Sequence, residues 1–297
     1  MADTTIRGLS AGTLAIDTAF VGQNTGTGTL AEKFDYSVMG GMILASSSAN
    51  TNLTATVGTL LQWTIAGITA VRSFILPDTA AAGEIVGVYI VDGDATEEIA
   101  IKTAATGSLL NGVDHSSTAY TNLFIKGEHM AFRCVNGGGA GDTDWIVVED
   151  GRIPCVARMY LGSDDLNFMV TNNTAYQVLV DTSDIDNFSG VDTGNSHIAL
   201  RRDGKVRAKG TWTNSDNFSA SGIVRAIISK NNNATNIGTA FMHWNTTTWN
   251  GSEITCTGDY SDGDTIELWA QDAAIANQGA FGGAGITWLE IEEILNA

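Results

Sequence analysis

The chain has 297 residues and a formal net charge of −18, from 33 Asp and Glu against 15 Lys and Arg, with 43% hydrophobic residues, 34 Gly and 2 Pro. That much apolar material supports one large or two medium cores and excludes a disordered chain. A phosphate backbone is held by Lys and Arg, and neither half of the chain is basic (6 basic against 16 acidic residues in 1–150, 9 against 17 in the remainder), so nucleic acid is excluded as a partner.

The opening residues Met1 to Arg7 have neither a charged n-region nor an apolar h-region, unlike a Sec-type leader. Residues 1–45 show no helical period and read as an extended arm punctuated by Gly22, Gly26 and Gly28. Its apolar positions, among them Ile16, Phe20, Phe34 and Tyr36, are too sparse for a core and need another surface to lie on.

Residues 46–153 read as a small β-sandwich module. Thr64 to Ile68 and Ser73 to Leu76 are short strands, the second stopped by Pro77-Asp78. Ile85 to Val91 is apolar on both faces, as a central strand should be, and is about a third of a membrane span, so no membrane partner is expected. The spacing predicts a turn at Asp92-Gly93-Asp94 and an antiparallel return through Glu98 to Lys102. A further hairpin pairs Met130 to Val135 with Trp145 to Val148.

Pro154-Cys155 marks a plausible boundary, and 154–297 repeats the strand-and-turn rhythm. Strands are predicted over Lys205 to Trp212, Ser221 to Lys230, Thr265 to Ala270 and Ile286 to Glu292, with Ile266, Leu268 and Ala270 on one face. Strands at roughly ten-residue spacing without a helical period predict an all-β chain ending in a sandwich or jelly roll. Cys134, Cys155 and Cys256, widely spaced and without a CxxC, read as buried small hydrophobes in a chain made in a reducing cytoplasm.

The second half resembles the C1q/TNF-type jelly-roll heads at the ends of many bacteriophage appendage proteins. The resemblance rests on Asn195 to Leu200, Asp203-Gly204-Lys205-Val206, Val224 to Asn231 and Gly263-Asp264-Thr265-Ile266-Glu267-Leu268; Val206 and Asn232 depart from the usual Tyr and Gly. Ile75 to Gly83 and Trp145 to Val148 are similar to β-modules of phage tail and head-fibre proteins. The resemblance implies a trimeric, non-enzymatic virion protein without cofactor or metal, made in the host cytoplasm. Its implied place is the capsid surface, as a decoration or head-fibre protein held on the major capsid protein by the arm residues Ile16, Phe20, Phe34 and Tyr36; no long heptad or triple-β shaft separates base from head. The alternative is a short tail fibre or receptor-binding protein among the tail proteins, recognising a host cell-surface glycan. Trimer contacts are expected at Ile266, Leu268, Trp269 and Trp288, and glycan contacts at Trp244 and Trp249. Closed symmetric assembly also protects a Gly- and Thr-rich β-protein from edge-to-edge association.

Other patterns offer less chemistry. Gly8-Leu9-Ser10-Ala11-Gly12 matches a nucleophile elbow, but the strand and α/β sheet that an elbow needs are missing, so a Gly/Ser turn is the better account. His115, His129, His197 and His243 lack metal-ligand spacing. Asp92-Gly93-Asp94 and Asp262-Gly263-Asp264 could begin a hard-cation site, yet neither continues as an EF-hand, and Asp-Gly is also a favoured hairpin turn. Seven basic residues between Arg201 and Lys230 could form an attachment surface for an acidic partner; the alternation of Lys205, Arg207 and Lys209 with Val206 and Ala208 favours a solvated strand face. Trp212, Trp244, Trp249 and Trp269 could stack on sugars, but core or subunit-contact roles are preferred.

Overall fold

The structure is a computed structural model that describes residues 42–92, 97–104, 106–138, 141–169, 174–213, 222–232, 235–244, 251–272, 278–280 and 282–295. Every regular element among them is a β-strand. The chain divides into two compact units, the first ending at Ile153 and the second beginning at Pro154. The arm positions Ile16, Phe20, Phe34 and Tyr36 and the 8–12 elbow match lie outside the described residues.

In the first unit, successive strands alternate between two sheets. Ile43–Ser47, Thr59–Thr64 and Ile85–Asp92 pair in parallel in one sheet, while Leu53–Thr54, Arg72–Leu76 and Ile99–Thr103 pair in parallel in the other. The chain therefore winds as a coil in which each turn adds a strand to each sheet. The expected return of Ile85 to Val91 through Glu98 to Lys102 does not form. Ile85–Asp92 lies between Thr59–Thr64 and His129–Asn136, and Ile99–Thr103 pairs with Arg72–Leu76 in the other sheet. Burial explains the difference: Val86 to Ile90 and Ile99 to Ile101 are covered on both faces, the pattern of parallel strands, whereas a hairpin face would show alternation. The Asp92 carboxylate also accepts the Ile65 N–H at 3.0 Å, tying the strand end back to the preceding turn of the coil. The first predicted strand is likewise displaced: Thr59–Thr64 is extended, and Ile65 to Ile68 close a turn through Ile68 N–H to Ile65 C=O at 3.1 Å.

The hairpin of His129–Asn136 with Asp144–Asp150 forms as read, Cys134 facing Trp145. Between the two sheets lie Trp63, Phe74, Val88, Ile101, Phe132 and Trp145. The Phe74 and Phe132 rings stack with centroids 6.3 Å apart. Trp145 Nε1–H donates to Pro77 C=O at 3.2 Å, so its one polar atom is satisfied inside the core.

Two large antiparallel sheets dominate the described part of the second unit, beside a two-stranded pair of Asp165–Met169 with Gln278–Ala280 and a short strand Ala175–Gln177 on Thr265–Asp272. One large sheet has the order Thr182–Asp186, Val156–Tyr160, Trp288–Ile294, Gly204–Thr213, Gly251–Tyr260; the other runs Val191–Asp192, His197–Ala199, Thr265–Asp272, Gly222–Lys230, Thr235–Trp244. Strands far apart in the chain are neighbours, and the pairs of the first sheet are joined by connections that cross to the second. That is a jelly roll. Met159, Ala208, Trp212, Leu289 and Ile291 from the first sheet, and Ile198, Ala226, Ile228, Ile266 and Leu268 from the second, are fully buried. Gly210 lies where the sheets approach closely: a Cβ there would come within 3.0 Å of Leu268 Cδ1. The predicted strands at Lys205, Ser221, Thr265 and Ile286 are present within a few residues of their expected bounds, with Ile266, Leu268 and Ala270 inward.

Candidate functional site

The outer face of the five-stranded sheet follows from alternation. In Trp288–Ile294, Leu289, Ile291 and Glu293 turn inward and Trp288, Glu290, Glu292 and Ile294 outward; in Gly204–Thr213, Lys205, Arg207, Lys209 and Thr211 turn outward. The register sets Arg207 opposite Glu292 and Lys209 opposite Glu290, with Lys205 opposite Asp259 on the next strand. The side chains meet at 3.0, 3.6 and 3.9 Å. Directly opposed charges of opposite sign support a sheet modestly and fix its register. Arg158 extends the row, 3.6 Å from Asp184 and with its guanidinium 5.1 Å from the Trp288 ring centre. Beside these pairs lie half-buried Tyr160, Val156 and Ile294 and the exposed Ile185.

These pairs account for most of the basic residues between Arg201 and Lys230. Lys230 meets Asp264 at 2.7 Å, Arg202 meets Glu293 at 2.6 Å, and Arg225 donates to the Gln271 carbonyl oxygen at 3.1 Å. A free cationic surface for an acidic partner is therefore not formed by them; the strand-face account holds.

The sequence marked Arg202 only as one of the seven basic residues and did not mark Glu293; among the described residues the two form the most deeply buried charge pair of the unit. Arg202 Nε and Nη2 donate to the two Glu293 carboxylate oxygens at 2.8 and 2.6 Å, and Cys155 N–H donates to Oε2 at 3.0 Å. Burial pushes the Glu293 carboxyl up, but the Arg202 bonds and charge and the Cys155 N–H outweigh it and hold the group below the usual glutamate range. The available signal was Glu293 itself, a carboxylate at an inward position of an alternating strand, which requires a buried partner.

The expected contact residues do not form one surface. Ile266 and Leu268 are wholly buried in the interior of their own unit, so neither offers area to another chain. Trp269 faces the opposite way on the same strand, and Trp288 lies on the outer face of the other sheet. Trp212 is core, with no exposed surface. Trp244 closes the Thr235–Trp244 strand opposite Gly222; its side chain and the whole of Trp249 lie outside what is described.

His115 Nδ1 lies 3.3 Å from Thr118 C=O, His129 Nδ1 3.2 Å from Gly127 C=O, and His197 Nε2 3.7 Å from Asp192, each a local structural role. Among the described residues no three His, Cys, Asp or Glu side chains cluster as a metal site. At the 262–264 turn, Asp264 accepts from Lys230 and Asn231, both at 2.7 Å, and from Ser261 N–H at 2.8 Å, so its carboxylate serves as a turn clamp.

Cys134 and Cys155 are buried, as expected, and Cys256 is half-buried. Burial pushes the Cys256 thiol up to about 11. At pH 8 its thiolate fraction is then on the order of one in a thousand. Iodoacetamide is expected to leave Cys256 unmodified in the native protein and to alkylate it in urea, as read by peptide mass spectrometry; rapid native labelling would contradict the burial.

No family model and no curated protein matches the chain. Among solved structures the chain is similar to murine APRIL, crystallised at pH 8.0, with TM-score 0.38, 10% identity, and coverage of 48% of this chain and 100% of that one. It is also similar to Eiger TNF from S. frugiperda, with TM-score 0.38, 9% identity, and coverage of 49% and 96%.

Proposed function

We propose that the chain is a non-enzymatic structural protein of a bacteriophage virion, a homotrimer that decorates the capsid and carries the jelly roll as its exposed head. The observation that supports this most directly is the outer face of the five-stranded sheet. It combines half-buried Trp288, Tyr160 and Val156 with carboxylates and cations in alternating rows. Three copies packed around an axis on this face would cover the aromatic area and offer each neighbour both signs of charge. With −18 per chain, repulsion opposes association, and a face carrying paired charges is where it is least. The role is mechanical: arm and head contacts add cross-subunit area to the shell, with the major capsid protein as partner.

Two measurements test this. Analytical ultracentrifugation of the full chain is expected to give about three times 31.2 kDa. Trp288→Asp, which places a charge in the proposed contact, is expected to give single subunits with the β-type circular dichroism retained. A wild-type monomer at micromolar concentration would overturn the trimer. Cryo-EM of virions is expected to show the protein on the capsid; density confined to the tail would overturn the decoration role in favour of a tail fibre.

A further inference from the structure

Two pockets on the jelly-roll unit share the 193–196 turn and the 177–181 segment in their linings. One, of about 440 Å³, is lined by Leu161, Leu179, Ser163, Asp164, Asp181 and Thr193 among others. The second, of about 450 Å³, is lined by Gln177, His197, Asn231, Asn232, Thr265 and Glu267 among others. From these we infer that the unit binds an uncharged oligosaccharide that spans the two pockets, with a sugar ring seated in the first. The inference is separate from the virion role and does not depend on the oligomeric state.

The lining chemistry selects this ligand class. Among the described lining residues there is no Lys or Arg, while Asp164, Asp181 and Glu267 are present, so phosphorylated, sulfated or sialylated ligands meet repulsion. The acceptors are fixed in place. Asp164 Oδ1 accepts Gly282 N–H at 2.8 Å, and Asp181 Oδ1 accepts Gly162 N–H at 2.7 Å, which leaves the second oxygen of each carboxylate to accept a sugar hydroxyl. Gln177 is held in the same way, its Nε2 donating to Asn195 C=O at 2.8 Å and Ser196 C=O at 3.0 Å, with its own carbonyl oxygen left over. The Asn232 backbone N–H is anchored on Glu267 at 3.1 Å, so the residue is pinned while its side-chain amide remains available as donor and acceptor. Preset polar groups of this kind lower the ordering cost of binding. Hydroxyls alone do not bind well from water; a sugar ring also needs an apolar surface for its C–H face. Leu179, a leucine 51% exposed in the wall of the first pocket above the buried Leu161, supplies one.

Saturation-transfer NMR and calorimetry on the full chain test the assignment, with maltotriose, cellotriose, mannotriose and triacetylchitotriose as uncharged probes. A heparin tetrasaccharide and oligosialic acid are the charged controls. At least one uncharged trisaccharide is expected to bind with a Kd of about 10 mM or tighter, and neither charged probe. Leu179→Ala shortens a half-exposed side chain outside the buried core, and Asn232→Gly keeps the left-handed backbone that Asn232 adopts at φ 58°. Each is expected to weaken binding about tenfold with the thermal midpoint unchanged. Absence of binding by all four uncharged probes, binding of the charged probes alone, or equal binding by wild type and both variants would overturn it.

Discussion

Arg202→Ala is expected to destabilise the jelly-roll unit by about 3–5 kcal/mol, because it strands a buried carboxylate. Arg202 and Glu293 are 4% and 5% exposed, and the guanidinium meets both carboxylate oxygens. Glu293 also accepts the Cys155 N–H, so it closes the start of the unit onto its last strand. With the guanidinium gone, the carboxylate keeps only the Cys155 N–H and must stay charged without a counter-charge or take up a proton. Arg202→Lys offers one point charge in place of the two-toothed fork and is expected to recover only part of the loss. Replacing the pair together, Arg202→Met with Glu293→Leu, removes both charges and is expected to restore most of the stability. Urea denaturation with hydrogen exchange across Trp288–Ile294 gives the readout. A single variant costing less than about 1 kcal/mol would show that the pair is solvated or dispensable.

The same pair sets a direction for acid stability. Glu293 lies below its ordinary value of 4.5 in the folded chain, so between that value and the folded one the unfolded chain binds more protons. The stabilisation is complete above pH 4.5 and is lost as pH falls through the folded value. Asp264, pushed up by burial but held lower by Lys230, Ser261 and Asn231, works in the same direction. Urea midpoints of the wild type are therefore expected to fall more steeply below pH 4.5 than those of the double Met/Leu variant.

The jelly roll was legible because its strands alternate. Lys205 to Trp212 and Thr265 to Ala270 declare an inward face in their residue order, and Asp-Gly turns bound them. The coil of the first unit was not. Its parallel strands start at Ile43, Thr59 and Ile85, with intervals of 16 and then 26 residues, so no repeat period marks the winding. An apolar run such as Ile85 to Val91 shows that both faces are covered without naming the strand that covers it. The charge row escaped for a related reason: Arg207 and Glu292 are 85 residues apart, and only the sheet register opposes them. The paired pockets gather positions from 161 to 267, each an ordinary loop or strand-end residue in the sequence.

Glu128→Ala is expected to cost the first unit about 3 kcal/mol or more, since it leaves buried N–H groups without acceptors. Glu128 has no exposed surface; its Oε2 accepts the N–H groups of Phe124 and Ile125 at 2.8 and 2.9 Å, and its Oε1 accepts that of Ile153 at 3.1 Å. One side chain thus ties the 124–128 turn to the last residue of the unit. The turn is in turn docked on Ile90, whose C=O accepts Gly127 N–H at 2.9 Å and whose N–H donates to Glu128 C=O at 2.8 Å. Glu128→Gln separates charge from shape. It keeps the volume but sets an NH₂ against N–H donors, so it is expected to lose a substantial part of what Glu128→Ala loses; a Gln variant as stable as wild type would mean that filling the space suffices. Amide exchange at Phe124, Ile125 and Ile153 gives the sharper reading. If the carboxylate holds all three, their protection falls together in both variants, ahead of that of Trp63 and Phe132 in the core. Independent loss at Ile153 alone would mean that the turn holds itself and that Glu128 only anchors the exit from the unit.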